Sequence, residues 1–132
     1  KKVTKYVDSD LIEDYSELPK GLSIYEISGP LFFASAKRYT EVIEEIGLNS
    51  RVLILRIRHV SFIDQTGLHH LKQTLTMLNT QKIYVILSGV SKELRIDLEK
   101  ANILDWIDED HIFNDFKPAL KRALYLLEKP DN

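Results

Sequence analysis

Two short, almost continuously apolar runs constrain the fold of this chain most strongly: VLILRI at 52–57 and KIYVILS at 82–88. Runs of this length without polar alternation are typical of strands that are buried on both faces of a parallel sheet. Between them the sequence predicts an amphipathic helix, because leucines recur at spacings of three, four and three residues, at Leu68, Leu71, Leu75 and Leu78. Strand, helix and strand in this order form a βαβ unit with a right-handed crossover.

The rest of the chain adds further strands and helices to this unit. From Ser35 to Gly47 one helical face is apolar and the opposite face carries glutamates, which predicts an amphipathic helix. The other predicted elements are strands at 22–28, 31–33 and 111–113, and helices at 91–101 and 115–128. The predicted fold is a single small α/β domain with a mixed or largely parallel β-sheet and interspersed helices.

Charge and composition exclude several classes of function. The net charge of -2 comes from 18 basic and 20 acidic residues that are interspersed along the chain, so nucleic acid is not an expected partner. The absence of cysteine excludes disulfides, thiolate metal sites and a cysteine nucleophile, and it suits a reducing compartment. The longest apolar runs are far shorter than the ~20 residues that cross a bilayer. We therefore expect the chain as given to be soluble, with no direct membrane insertion.

A polar cluster lies where the first apolar strand is expected to give way to the helix. It comprises Asp64, Gln65, Thr66 and Gly67, and Leu68 then begins the leucine repeat. In an open α/β sheet, the carboxyl end of a strand and the amino end of the next helix form the usual contact edge. These five residues, the 64–68 loop, are therefore the candidate docking site for a partner.

Each residue type in the 64–68 loop suits either a docking role or a purely structural one. Asp64 is placed to cap the helix by accepting a hydrogen bond from the backbone N–H of Thr66 or Gly67. Gly67 leaves space where another backbone or a partner can approach closely. The structural alternative is a well-capped helix after a buried strand, with no partner at all.

Catalytic, cofactor and metal motifs are missing from the sequence. It has neither a GxxxxGK[ST] nor a GxGxxG motif, and Thr66 as a nucleophile would need a nearby base. His69 and His70 are adjacent and point about 100° apart on a helix, so they do not form a metal pair. His59 and His111 are isolated, and all four are interpreted as ordinary solvent-facing or half-buried side chains. We predict no enzymatic activity, no cofactor and no metal.

The order of elements and the Asp-x-[Ser/Thr]-Gly-Leu motif at the start of a helix resemble the STAS domain, named for sulfate transporters and anti-sigma factor antagonists. The resemblance covers about residues 21–128. The run GPLFFA at 29–34, supported by ELP at 17–19 and by Gly21, is similar to the entry segment of STAS domains attached to SulP-type anion transporters.

This resemblance implies a non-catalytic, cytoplasmic regulatory domain that follows the membrane portion of a sulfate-like anion transporter at the inner membrane. Residues 1–20 would then be a connecting arm, 21–128 the STAS domain and 129–132 a C-terminal tail. Since the chain begins Lys-Lys, we expect it to be a piece of a larger protein. The implied partners are the membrane domain of the same chain, a second protomer in a homodimer, or a cytoplasmic regulatory protein.

One position departs from the pattern of the anti-sigma factor antagonists. In those proteins a serine or threonine directly after the motif's aspartate is phosphorylated, and the added charge blocks docking. Here that position is Gln65, which has no hydroxyl, and Thr66 follows it as a weaker candidate for phosphorylation. A free-standing anti-sigma factor antagonist is the alternative function, and Gln65 argues against it. A nucleotide-sensing module is a third, because modest nucleotide binding is associated with the STAS family.

Overall fold

A computed structural model describes residues 18–27 and 33–129 of the chain. Its strands are β1 (Leu22–Glu26), β2 (Val52–Arg56) and β3 (Tyr84–Ser88). Its helices are α1 (Phe33–Gly47), α2 (Gln65–Thr80), α3 (Lys92–Lys100) and α4 (Phe116–Leu127). Two single turns of 3₁₀ helix, Ile103–Asp105 and Glu109–His111, connect α3 to α4. Residues 1–17 of the predicted connecting arm, residue 28 of the first predicted strand, residues 31–32 of the second and residues 130–132 of the tail lie outside the described residues.

The three described strands form one parallel sheet in the order β1-β2-β3. Leu22 of β1 pairs with Val52 of β2, which in turn pairs with Tyr84 of β3, and the register continues without a bulge. Every residue of β2 is buried. This confirms the prediction that the apolar run at 52–57 is a central strand covered on both faces.

Alternate side chains of β2 enter two separate hydrophobic cores. Leu53 and Leu55 belong to the larger core, and Val52 and Ile54 belong to the smaller one. Helices α1, α2 and α3 supply the larger core, in which Leu71, Leu75 and Leu78 confirm the predicted helical repeat. Helix α4 covers the other face with Phe116, Ala119, Ala123 and Leu126. The predicted α/β class is therefore confirmed, with helices on both faces of the sheet.

Two predicted strands differ from the structure. The prediction that Phe33 ends a short strand is wrong, because Phe33 is the first residue of α1. Three apolar residues in a row carry no period, so the sequence could not separate a strand from a helix start. The predicted edge strand at 111–113 is reduced to one bridge, in which Ile112 pairs with Leu87. The 3₁₀ turn immediately before Ile112 prevents a longer ladder.

One histidine contradicts the interpretation given to all four. His111 is only 8% exposed, and its Nε2 atom finds no hydrogen-bond partner within residues 18–27 and 33–129. Burial, followed by the positive charge of Arg122, lowers the pKa of His111 below its usual value of 6.5, against the opposing effect of Asp108 and Asp110. His111 is therefore a buried, neutral side chain at neutral pH, packed edge-on to the ring of Tyr84.

The lowered pKa predicts a loss of stability in mild acid. Below pH 6.5 the unfolded chain takes up a proton at His111 that the folded chain still excludes, so stability falls as the pH drops toward the folded pKa. We expect the urea midpoint of the chain to be lower at mildly acidic than at neutral pH. The difference should shrink in His111→Gln, because glutamine takes up no proton in either the folded or the unfolded chain. An unchanged difference would show that His111 does not contribute.

Candidate functional site

The connection between β2 and α2 is longer than the sequence suggested. Ile57 continues the strand path, with its N–H 2.9 Å from the Ser88 carbonyl, and the chain then turns so that Val60 N–H bonds back to the Ile57 carbonyl at 2.9 Å. Residues 61 and 62 are exposed before Ile63 returns to the larger core. The expectation that the strand runs directly into Asp64 is therefore wrong. A folded loop places the start of α2 beside the carboxyl edge of the sheet.

Asp64 fixes the first turn of α2 as predicted. Its backbone is extended, and its Oδ1 atom accepts a hydrogen bond from the N–H of Gly67 at 2.7 Å. Its carbonyl accepts the first helical bond, from Leu68 N–H at 2.8 Å. A cap of this type contributes about 0.5 to 2 kcal/mol, and the helix dipole favours its negative charge. The cap therefore holds the 64–68 loop in one backbone conformation.

The residues of the 64–68 loop differ in their exposure to solvent. Gln65 is exposed, and Asp64, Thr66 and Leu68 are partly exposed. Gly67 lies buried beneath them, so the space predicted there is not open to a partner in this structure. The accessible part of the loop is thus polar at its tip, with one apolar side chain, Leu68, packed along the larger core.

An open groove of about 470 Å³ runs along the loop toward the carboxyl end of α3. Phe62, which is 48% exposed, lies in it beside Ile63 and Leu68. The opposite wall consists of Asp97, Lys100 and Ala101, while Asp64 and Gln65 complete the lining. An apolar floor with charged residues of both signs at the rim is typical of a protein contact surface.

The wall formed by α3 is fastened to α2 by polar contacts. Lys72 of α2 lies with its Nζ atom 4.5 Å from the centre of the Trp106 ring and donates a hydrogen bond to the Ala101 carbonyl. Asn79 donates from Nδ2 to the Trp106 carbonyl at 2.9 Å. These contacts join α2 to the carboxyl end of α3 and to the turn that follows it, so the groove is part of the folded structure.

The surroundings of Thr66 do not resemble a nucleophile site. The ring centres of the nearby His69 and His70 lie 5.9 Å apart with the rings tilted by 59°, and His59 Nε2 lies 3.4 Å from Glu26 Oε2. Within the described ranges, no group of three or more His, Asp or Glu side chains could hold a metal ion.

The 64–68 loop was predicted from the sequence as a contact site, but the other residues that line the groove were not. Phe62 lies between the two apolar runs and belongs to no periodic pattern, so the sequence does not indicate that it is exposed in a groove. Asp97 and Lys100 could not be predicted either, because only the tertiary fold brings the carboxyl end of α3 next to the loop.

Three parallel strands between helical layers, with a side-chain-capped loop at the carboxyl edge, define a compact α/β domain of the type that the sequence resembled. The family model of the STAS domain matches residues 16–119. The chain belongs to the STAS domain family.

Relatives of the chain occur among sulfate transporters. A probable sulfate transporter of Mycobacterium tuberculosis is 31% identical over 116 residues, which is 83% of this chain and 21% of that protein. The chain thus spans about a fifth of the length of this curated relative. In the described residues, no helix is long and apolar enough to cross a membrane.

Solved structures agree with this assignment. The crystal structure of a sulfate transporter family protein from Wolinella succinogenes is 34% identical, with a TM-score of 0.82, and the match covers 92% of this chain and all (100%) of that one. The STAS domain of a SulP transporter from Vibrio cholerae is 32% identical, with a TM-score of 0.75 over 91% of this chain and 95% of that one. A putative anti-sigma factor antagonist from Thermotoga maritima shares the fold at 14% identity, with a TM-score of 0.68 over 82% and 92% of the two chains.

Proposed function

We propose that this chain is the non-catalytic, cytoplasmic regulatory and interaction domain of a SulP-type anion transporter. Similarity to a probable sulfate transporter and to a SulP transporter STAS domain supports the transporter context. In this proposal the domain docks on the membrane portion of its own chain, on a second protomer or on a cytoplasmic regulatory protein. The coding sequence upstream of Lys1 tests the context, since it should contain at least about ten apolar segments of about 20 residues.

The observation that carries the docking role is the partly exposed 64–68 loop above the groove of Phe62. Its cap fixes the backbone before a partner arrives, so little conformational entropy is lost on binding. Phe62 supplies an apolar anchor, and Asp97 and Lys100 supply charges that can select the orientation of the partner.

Thr66→Asp is expected to separate docking from folding. An acid in the first turn of α2 suits the helix dipole, so the thermal midpoint should change little. The same charge within a contact surface loses its water when a partner docks, which costs about 1 to 3 kcal/mol and weakens binding about fivefold to 150-fold. The measurement is co-purification of the domain with the separately expressed membrane portion encoded upstream.

Gln73→Glu is the matched control, because it adds one negative charge at an exposed position of α2 outside both the 64–68 loop and the groove. It should bind like the unchanged domain. If Thr66→Asp unfolds the domain, the loop is buried structure and the docking proposal fails. Equal binding by both variants would also remove the loop from the interface.

The alternative function, an anti-sigma factor antagonist in a partner switch, is favoured by the shared fold alone. It requires a phosphate acceptor near residue 65, where Gln65 has no hydroxyl and Thr66 is partly exposed. Phosphate found on Thr66 by mass spectrometry of the protein from its native cell would support this alternative. The proposed role in a transporter does not require phosphorylation of Thr66.

A further inference from the structure

A second polar site lies at the carboxyl edge of the sheet, apart from the docking loop. Arg56, the last residue of β2, is only 2% exposed. Its Nε and Nη1 atoms find no hydrogen-bond partner in the part of the chain that the structure describes. A buried guanidinium with unused donors is costly, and such a group in a native protein calls for an explanation such as an absent ligand.

The nearest acid balances the charge of Arg56 without using its donors. Glu26 Oε1 lies 3.9 Å from Arg56 Nη1, which is too far for a hydrogen bond. The second oxygen of the same carboxylate lies 3.8 Å from Arg58 Nε and 3.4 Å from His59 Nε2. One carboxylate therefore faces two guanidinium groups and an imidazole, and it makes no hydrogen bond to Arg56.

Arg56 lines an open groove of about 450 Å³ between the strand ends and the start of α4. Its guanidinium carbon lies 4.6 Å from the centre of the Phe116 ring, which orients the planar group. The remaining lining residues are Arg58, Ser88, Gly89, Asn114, Asp115, Lys117 and Pro118. The carboxyl edge of a parallel sheet is the usual place for a ligand in this class of fold.

The start of α4 adds a second source of positive potential. Helix α4 is twelve residues long, and the side chain of Asp115 makes no capping hydrogen bond to its first turn. The helix dipole and the N–H groups that the first turn retains favour a bound anion there, since only Pro118 has no N–H to donate. Lys117 adds a full charge, and Asp115 is the one carboxylate among the lining residues.

We propose that this groove binds a tetrahedral oxyanion, the group shared by inorganic sulfate, inorganic phosphate and phosphomonoesters. Arg56 is the buried anchor, which presents its free donors to the oxygens in the manner that guanidinium groups favour. Arg58 and Lys117 hold the rim, and the first turn of α4 completes the site. The proposal does not depend on docking at α2.

The test is a titration of the domain followed by NMR, with sodium sulfate, sodium phosphate and adenosine monophosphate in separate arms at constant ionic strength. Signals of the Arg56 side-chain N–H and of the Gly89 and Lys117 amides should shift in a saturable manner. Equal affinity in the three arms identifies a free inorganic ion as the ligand, and tighter binding of the nucleotide identifies a phosphomonoester. Absence of a saturable shift in every arm overturns the proposal.

Charge variants make the test specific to the groove. Lys117→Gln should raise the Kd about twofold to fivefold, and Asp115→Asn should lower it by a similar factor, as expected for exposed charges. Lys121→Gln, an exposed change on α4 outside the groove, is the matched control and should leave the Kd unchanged. Arg56→Gln should raise the Kd about tenfold or more, because a charge-assisted bond is lost.

If Arg56→Gln does not fold, the proposal is still tested by the opposite changes in Kd that are expected for Lys117→Gln and Asp115→Asn. Equal affinities in Lys117→Gln, Asp115→Asn and Lys121→Gln would contradict a site in this groove. These outcomes are independent of the Thr66 experiment, because that loop lies at the start of a different helix.

Discussion

Replacement of Gly89 by alanine is expected to lower the free energy of unfolding by about 2 to 6 kcal/mol. Gly89 follows β3 with φ of +80°, a conformation that residues with a side chain rarely adopt. A Cβ atom there would lie 2.6 Å from Arg58 Cβ and 2.7 Å from both the Cα and N atoms of Arg58. Since two of these atoms belong to the backbone, the clash can be relieved only by moving the loop.

Gly21→Ala is the control for Gly89→Ala. Gly21 also has a positive φ, of +92°, but a Cβ atom there would meet only side chains, the nearest being Leu127 Cδ2 at 3.3 Å. It should therefore cost only the conformational strain, about 1 to 3 kcal/mol. Urea unfolding of both variants checks the difference. If Gly89→Ala is no more destabilising than Gly21→Ala, the loop does not pack against Gly89 as described.

Leu71→Ala should cost about 2 to 5 kcal/mol as a large-to-small change in a packed core. Leu71 is 3% exposed and lies in the larger core on the face of α2 that the leucine repeat predicted. Leu48→Ala provides the same chemical change at a side chain that is 54% exposed, and it should stay within about 0.5 kcal/mol. The check is the free energy of unfolding in urea. A loss at Leu71 as small as that at Leu48 would show that α2 is misplaced.

The central βαβ unit could be predicted because the signals lie within each element. The leucines of α2 recur at helical spacing, and the run at 52–57 is almost continuously apolar and too short for a typical helix. The start of β3 was less clear. Lys82 is apolar along most of its length and precedes Ile83, yet it adopts φ of 62° and belongs to the turn. A positive φ at a single residue cannot be predicted from the pattern of apolar residues.

The two proposed sites differ in how much of each could be predicted from the sequence. Asp64 was placed as the helix cap because capping depends on neighbours within three residues. Arg56 stands inside an apolar run, and an arginine within a strand buried on both faces was a signal that could have been followed. Its meaning depends on Phe116 and the start of α4, which only the tertiary fold brings next to it.

The alternation of β2 side chains between the two cores has a consequence for the cooperativity of the domain. Neither helical layer can detach while β2 remains in place without leaving half of that strand's side chains in water. The amides of β2 should therefore exchange with solvent only through global opening, and both layers should share one melting transition. A ligand held at one layer then protects the other against unfolding by mass action, even without any change of shape.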